Sequence, residues 1–133
     1  MKYLYIIRGP FGTGKTEFAR TLCDNVVSCW DYYAQYGENK WNEKLKPHAD
    51  EYCRTRTKRL IEDGINKIVV TNSFSKNEDL DEYYEMAKQY EYKVFCMIMD
   101  NRNIEEYKRD VPKDIVEQQV MQLKNSLRFY PIL

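Results

Sequence analysis

Residues 6–20 of the chain read IIRGPFGTGKTEFAR. Within this stretch, residues 9–16 match the pattern G-x-x-x-x-G-K-[ST] at every fixed position. Residues 3–7 form an apolar run before the match. The apolar residues that follow it have the spacing of one helix face: Phe18, Ala19, Leu22 and Cys23. The stretch therefore predicts a strand, a glycine-rich loop and a helix, which is the context that a phosphate-binding loop requires.

The glycines of this loop serve a physical purpose. They allow backbone angles that a Cβ atom would penalise, so that several N–H groups can turn inward around an anion, next to the positive end of the following helix. We expect Lys15 to reach the β and γ phosphates of a nucleoside triphosphate and the Thr16 hydroxyl to contact Mg²⁺. The predicted nucleotide-binding residues of the loop are Gly9, Phe11, Gly12, Thr13, Gly14, Lys15 and Thr16.

Length and composition limit the other possibilities. A chain of 133 residues predicts a single domain, residues 1–133, with one nucleotide site. The apolar content of 43% and charged content of 32% are typical of a globular protein, and no apolar run approaches a membrane span. The four cysteines lack C-x-x-C spacing, which favours reduced thiols and a cytoplasmic location. Because the net charge is zero, a polynucleotide would have to bind a local basic patch.

Strand and helix patterns alternate four times along the chain. The predicted strands are residues 3–7, 26–30, 65–70 and 92–99, and the last of them has the continuous apolar sequence of a strand covered on both faces. Helices are predicted after the loop, over residues 48–63, after a capping box at Ser75 and Glu78, and from Pro112 onward. Residues 32–46 are predicted to be loop. This order predicts a three-layer αβα fold with a mostly parallel sheet of about four to five strands.

Polar residues lie at the predicted ends of three strands. In a parallel α/β sheet, ligands bind beyond the carboxyl ends of the strands. The phosphate loop, Asp31 and the pair Thr71 and Asn72 should therefore lie along one edge of the sheet. Asp31 is the only carboxylate that this pattern places at a strand end.

The loop alone fits several classes of nucleotide-binding protein. Its sequence differs by one residue from the GPPGTGKT of many ring-forming ATPases, but these need a longer chain and an acid at the end of the third strand. That strand here ends in IVVTN, residues 68–72. The zinc-binding cysteine pairs of thymidine kinases and the N-K-x-D motif of signalling GTPases are absent from the sequence.

The order of segments along the chain resembles that of the kinase domain of phage-type polynucleotide kinases and of related small P-loop kinases. The resemblance covers about 110 residues. Besides the loop, the segments that carry it are SCWDYY (28–33), VVTN (69–72), YEYKV (90–94), RN (102–103) and VPKDIV (111–116).

This resemblance implies transfer of the γ-phosphoryl of ATP to a hydroxyl, typically the 5′-hydroxyl of a nucleic acid, with Mg²⁺. It implies that Asp31 accepts the hydroxyl proton and that Arg102 clamps the ATP phosphates, with Arg109 and Lys108 in reserve. The chain also departs from the family: relatives often have two adjacent acids where this chain has Trp30 and Asp31 or Asp31 and Tyr32.

Two further departures concern charge at the site. Val70 replaces an acid before Thr71, and Glu106 falls where the family has a second arginine. Thr16, the phosphates and water would then hold Mg²⁺.

Two surface features leave alternatives open. The basic run Arg54, Arg56, Lys58 and Arg59 is either a solvated helix face or a patch for a single-stranded 5′ end. The aromatic residues near the predicted substrate loop could stack on bases or could serve the core: Trp30, Tyr32, Tyr33, Tyr36 and Trp41.

Two alternative functions remain open from the sequence. The chain could be a kinase of nucleosides or other metabolites, or a nucleotide-binding regulator without transferase activity.

Overall fold

The computed structural model describes residues 1–99 and 111–127. In this part of the chain, four strands alternate with five α-helices. The strands are β1 (Tyr3–Arg8), β2 (Val26–Ser28), β3 (Lys67–Asn72) and β4 (Lys93–Ile98). The helices are α1 (Lys15–Leu22), α2 (Trp30–Tyr36), α3 (Lys46–Glu62), α4 (Asp81–Gln89) and α5 (Lys113–Ser126). Short 3₁₀ turns precede α3 and α4.

The four strands form one parallel sheet in the order β2-β3-β1-β4. Strand β1 lies inside the sheet, where Ile6 pairs with Val70 of β3 on one side and with Cys96 of β4 on the other. Since all strands run the same way, their carboxyl ends meet at one edge of the sheet. The predicted parallel sheet is confirmed over the described residues.

Helices cover both faces of this sheet. On one face, Leu4, Ile6 and Val70 pack in a large apolar core against α3 and α4, to which α5 adds partly buried residues. On the other face, Ala19 of α1 packs with Ile7. Each fully buried aliphatic side chain contributes roughly 1.5–3 kcal/mol to folding. The predicted three-layer arrangement is therefore observed.

Two predicted elements differ from the structure. Residues 30–36 form α2, where the sequence predicted the end of a strand and then loop; Trp30 and Tyr33, three residues apart, bury one face of this helix. Strand β4 was predicted to be covered on both faces, but in the described sheet it is an edge strand and Phe95 is 48% exposed. The apolar sequence of β4 is compatible with an interior or an edge position. The order in which the strands pair decides which strand lies at the edge.

The predicted capping box at Ser75 and Glu78 is also wrong. The carboxylate of Asp79 accepts a hydrogen bond from the Lys76 backbone N–H at 3.2 Å instead, and this turn leads into α4. The Ser75 hydroxyl is used elsewhere, because it donates to Gln122 of α5 at 2.7 Å. Across the described residues, every helix is too short or too polar to span a bilayer.

Candidate active site

The glycine-rich loop has the backbone conformation that its sequence predicts. Gly12 and Gly14 each have a φ of 86°, in the left-handed region that favours glycine. At Gly9 a Cβ atom would lie 2.8 Å from the carbonyl oxygen of Met99, the residue that follows β4. This position needs glycine because the chain after the neighbouring strand passes so close to it. The loop leads from β1 directly into α1, which begins at Lys15.

The side chain of Lys15 lies inside this loop. It is 8% exposed, and its Nζ atom donates hydrogen bonds of 2.8 Å to the carbonyl oxygens of both Gly9 and Pro10. The ammonium group also lies 5.8 Å from the centre of the Phe11 ring. A buried cation at the N-terminus of a helix, in a loop with glycine backbone angles, is a chemical fit for the phosphates of a nucleotide.

A cavity of about 260 Å³ opens next to the loop. Its walls come from the loop and the ends of β2 and β3, and they are formed by Phe11, Gly12, Gly14, Lys15, Thr16, Glu17, Ser28, Cys29, Trp30, Thr71 and Asn72. The expected meeting of the loop with Thr71 and Asn72 is therefore observed. These residues are distant in sequence, and the parallel sheet brings them together.

The environment of Thr16 fits a magnesium ion held mainly by phosphate and water. The Thr16 hydroxyl lies 3.3 Å from the hydroxyl of Ser28 at the end of β2. Among the described residues, no group of three or more His, Cys, Asp or Glu side chains could hold a metal ion. Hydroxyl oxygens such as those of Thr16 and Ser28 are of a ligand type that Mg²⁺ accepts alongside phosphate.

Asp31 and Trp30 have different surroundings in this site. Asp31 is exposed in the first turn of α2, and its carboxylate accepts a hydrogen bond of 3.4 Å from the Ser28 backbone N–H. Trp30 is 7% exposed and lines the cavity, with its ring centre 5.8 Å from that of Phe11. Its indole N–H donates to Asn39 at 2.9 Å. The large aromatic side chain thus occupies the cavity wall, whereas the predicted carboxylate of Asp31 is not among the lining residues and is exposed beside them.

Asp50 is a site residue that the sequence analysis missed. Its carboxylate accepts hydrogen bonds from the Asn72 side-chain amide at 3.0 Å, from the Cys29 thiol at 3.7 Å and from the Lys46 ammonium at 2.8 Å. Asn72 and Cys29 both line the cavity. Asp50 lies within α3 and not at a strand end, and its i, i+4 spacing from Lys46 was the only local indication of a role.

Burial and charge around Asp50 change the acidity of its neighbours. Burial raises the pKa of the Cys29 thiol well above its ordinary value, and the nearby Cys53 and Asp50 raise it further. Burial lowers the pKa of Lys46, but the hydrogen bond and charge of Asp50 outweigh this effect, and the net shift is upward. Lys46 is therefore a cation and Cys29 a neutral thiol near neutral pH.

Gln119 is a second residue that the sequence analysis did not assign to the site. It is 6% exposed, and its side-chain oxygen accepts a hydrogen bond of 3.1 Å from the backbone N–H of Phe11. Arg8 connects the same helix to the end of β1, since its guanidinium donates to the Ser126 hydroxyl at 2.9 Å. Helix α5 thereby holds the phosphate loop from the side of the large core.

Four residues discussed in the sequence analysis lie outside the described residues, and their roles stay predictions: Arg102, Glu106, Lys108 and Arg109.

The basic run lies on α3 and is partly engaged by other side chains. Arg54 pairs with Glu82 at 3.2 Å, and Arg56 lies 5.8 Å from the centre of the Tyr52 ring. His48 is exposed and its ring stacks on Tyr32, with ring centres 6.4 Å apart.

Several curated proteins match part of the chain, and no family model matches it. Human NEDD4-binding protein 2 is 28% identical over 96 residues, which are 68% of this chain and 5% of that protein. The 2′,3′-cyclic-nucleotide 3′-phosphodiesterase of Pongo abelii is 31% identical over 103 residues, which are 70% of this chain and 23% of that protein. The chain thus spans less than a quarter of the length of either relative.

Solved structures match more of the chain. A chain of the Pnkp1/Rnl/Hen1 RNA repair complex has a TM-score of 0.70 and 19% identity, covering 94% of this chain and 45% of that one. The APS kinase CysC of Mycobacterium tuberculosis, in complex with AMPPNP and APS, has a TM-score of 0.51 and 14% identity over 88% of this chain and 72% of that one. This chain has a P-loop kinase-like α/β fold.

The P-loop kinase-like fold agrees with the resemblance seen in the sequence. Structural relatives with this fold bind adenine nucleotides, for AMPPNP is present in the CysC complex and ATP in the AvrRxo1-ORF1:-ORF2 complex. The latter has a TM-score of 0.64 and 19% identity, covering 93% of this chain and 48% of that one. At these identities the match concerns the fold alone.

Proposed function

We propose that this chain is an ATP-dependent phosphotransferase that moves the γ-phosphoryl group of ATP to the 5′-hydroxyl of a polynucleotide. The proposal rests on one observation. The same cavity is lined by the phosphate loop, including the buried Lys15, and by the ends of β2 and β3. A kinase needs these two parts side by side, because the phosphoryl group must pass from the cradle to an acceptor at the strand ends.

The residues of the chain have separate roles in this reaction. The loop amides and Lys15 hold the triphosphate, and bound Mg²⁺ would supply charge that neutralises the phosphate oxygens. The acceptor oxygen forms a bond to the γ-phosphorus as the β–γ bridging bond breaks, ADP leaves, and a carboxylate receives the hydroxyl proton. We assign this carboxylate to Asp31. The resemblance assigns the clamping of the ATP phosphates to Arg102, with Arg109 in reserve; both lie outside the described residues.

A polynucleotide acceptor is supported by two findings. Asp31 is exposed in the first turn of α2, next to Trp30 of the cavity wall, where a long chain could present its terminus. One of the matching solved structures is an RNA repair complex. A small metabolite is the competing acceptor, and it would be favoured if transfer occurred only to nucleosides or similar compounds.

A nucleotide-binding protein without transferase activity is the second candidate, and Trp30 favours it. The indole of Trp30 is buried in the cavity wall, and Trp30 is one of the two neighbours of Asp31 where related kinases often carry a second acid. If that missing acid were essential, the cradle would still bind ATP and the reaction would not proceed.

The deciding experiment uses ATP labelled at the γ position, Mg²⁺ and a 5′-hydroxyl oligonucleotide. Label on the oligonucleotide supports the proposal, and label only on small acceptors supports the metabolite kinase. Nucleotide binding without transfer supports the second candidate. Lys15→Ala is the loss-of-function control, because it removes the cation from the cradle, and Lys88→Ala on the exposed surface of α4 is the matched control that should retain activity.

The proton acceptor can be identified with two matched amide variants. If Asp31 is the base, Asp31→Asn should lower kcat by about 100-fold or more, with little change in ATP affinity. Asp50→Asn should have a smaller effect, since Asp50 is already bonded to Asn72 and Lys46. The reverse order of effects, measured under single-turnover conditions, would assign the reaction to Asp50.

A further inference from the structure

A second cavity, of about 240 Å³, is lined by one side of α5, by the segment that leads into α3 and by the segment between β3 and α4. We call it the glutamine pocket, because Gln118, Gln119 and Gln122 of α5 form one wall. The facing walls include Ser75 after β3 and Trp41 before α3. The three glutamines are spaced at i, i+1 and i+4. The sequence analysis assigned no function to them.

The polar groups of the glutamine pocket are positioned by the fold. The oxygen of the buried Gln119 accepts from the Phe11 backbone N–H, and the oxygen of Gln122 accepts from the Ser75 hydroxyl. Both contacts use the carbonyl side of the amide, which directs the NH₂ donors away from these partners. The buried indole N–H of Trp41 has no hydrogen-bond partner among the described residues.

The size and chemistry of the pocket suit a planar heterocycle. Its volume is below the roughly 300–1,000 Å³ of pockets that enclose drug-sized ligands, so one ring system is a better fit than a whole nucleotide. Side-chain amides offer a donor and an acceptor together, which is the pairing that the edges of nucleobases match. An aromatic side chain such as Trp41 adds a surface on which a base can stack.

The pocket is connected to the phosphate loop by a shared residue. Gln119 lines the glutamine pocket and also holds Phe11, which lines the phosphate-side cavity. Lys46 lines the pocket as well, and its ammonium is bonded to Asp50 beside the strand ends. Lys76 lines the pocket together with the acids Glu43 and Asp79, so the charges of the lining balance and the amides and Trp41 are the groups that would recognise a base. A ligand in this pocket therefore lies next to the site of phosphoryl transfer.

We propose that the glutamine pocket binds a nucleobase of the acceptor strand and so helps to place its 5′-hydroxyl. This inference rests on the proposed function, since an acceptor without bases would have no use for the pocket. Gln118 and Gln122 read the edge of the base, and Trp41 stacks on its face. The phosphate loop and its cavity remain the site of ATP.

The two tryptophans of the chain provide a direct binding test. In ¹⁵N-labelled protein the indole N–H groups of Trp30 and Trp41 give two separate signals, which Trp41→Phe assigns. The protein is first saturated with ADP and Mg²⁺ to fill the phosphate loop, and adenosine 3′-monophosphate is then added. We expect a saturable shift of the Trp41 signal in this second step and little change at Trp30.

Variants of the glutamines test recognition of the base. Gln118→Ala and Gln122→Ala should each raise the apparent Kd for adenosine 3′-monophosphate by about 5-fold or more, the scale of one lost hydrogen bond. Gln89→Ala, at the exposed end of α4, is the matched control and should leave the Kd unchanged. Gln118 has an exposed side chain, so its variant keeps the test valid if Gln122→Ala is unstable.

Several results would overturn the inference. Inorganic phosphate alone producing the same Trp41 shift would mean that no base is recognised. A shift already complete with ADP would place the donor base, not the acceptor base, in the pocket. Transfer of label to an oligonucleotide, with no shift of the Trp41 indole signal, would refute base binding in the glutamine pocket. The proposed function would then still stand. A specific Trp41 shift in a protein that transfers no label would support base binding and refute the transferase.

Discussion

Gly14 and Gly64 have similar left-handed backbone angles, with φ values of 86° and 72°, but only Gly14 belongs to the phosphate loop. An added Cβ atom meets nothing within 4 Å at Gly14 and only the Lys2 ammonium at 3.8 Å at Gly64. We expect Gly14→Ala and Gly64→Ala each to lower the free energy of unfolding by about 1–2 kcal/mol, the cost of a side chain in this conformation.

Nucleotide binding should separate the two glycine variants. Gly14→Ala should weaken ATP binding strongly, because the loop amides must turn inward at that residue, and Gly64→Ala should bind like the unaltered protein. Thermal unfolding and calorimetric titration with Mg-ATP measure the two quantities. Equal ATP affinity in both variants would show that the angle at Gly14 is not needed for the cradle.

At the residue scale, much of the phosphate loop could be predicted from the sequence. The positive φ angles follow from glycine at fixed spacing, and the place of Lys15 follows from the helix that begins there. The position of Asp50 could not be predicted in this way. Its contact with Asn72 joins residues 22 positions apart, and nothing local to either residue indicates that α3 crosses the end of β3.

Helix α5 is the element through which distant parts of the chain support the loop. Leu123 lies on the buried face of α5 and is 7% exposed, whereas Met121, two residues earlier, is 59% exposed. We expect Leu123→Ala to lower the free energy of unfolding by about 2–5 kcal/mol, since it leaves a cavity in the core. Met121→Ala is the matched control and should change it by less than about 0.5 kcal/mol. Urea unfolding followed by circular dichroism measures both, and similar losses would mean that α5 is not packed as described.

The elements also show why pattern alone misassigned two segments. The sequence from Val26 to Asp31 favours a strand that ends in an acid, but the chain leaves the sheet after Ser28 and Trp30 begins α2. Burial of the Trp30 and Tyr33 rings in the core stabilises this helix. Strand β4 has an equally apolar sequence in either an edge or an interior position. Tertiary packing overrode the local preference in both places.

The charge of the whole molecule predicts how it should respond to salt. The net charge is zero, and Arg54 of the basic run is paired with Glu82. We therefore expect few phosphate contacts, and a slope of log affinity against log salt of about −1 to −2 for a single-stranded oligonucleotide, at roughly −0.7 per phosphate. Fluorescence anisotropy at several salt concentrations measures it. A slope steeper than about −3 would indicate a larger basic surface than the described residues provide.

The four cysteines report on the packing of the whole fold. Cys53 is fully buried and Cys29 is 3% exposed, while Cys96 is exposed. Burial raises the pKa of Cys53 from its ordinary 9.0 to about 12, so its thiol is neutral as well as inaccessible. We expect iodoacetamide to modify Cys96 in the folded protein and Cys29 and Cys53 only after unfolding, as read by mass spectrometry. Native labelling of Cys53 would contradict this core.

The same buried thiols predict the effect of pH on stability. Above pH 9.0 the unfolded chain ionises Cys53 while the folded protein keeps it protonated up to about pH 12. The unfolded state thus binds fewer protons than the folded state in this window, and the free energy of unfolding falls as the pH rises.

The sequence by itself determined the phosphate loop, the alternation of strands and helices and the parallel sheet, because glycine angles, apolar periodicity and chain crossovers follow local or general rules. Only the tertiary structure decided that β4 lies at the edge, that Trp30 lines the cavity, and that Gln119 holds Phe11 from 108 positions away. These outcomes depend on which surfaces of distant elements fit together, and that fit is a property of packing in three dimensions and not of any short stretch of sequence.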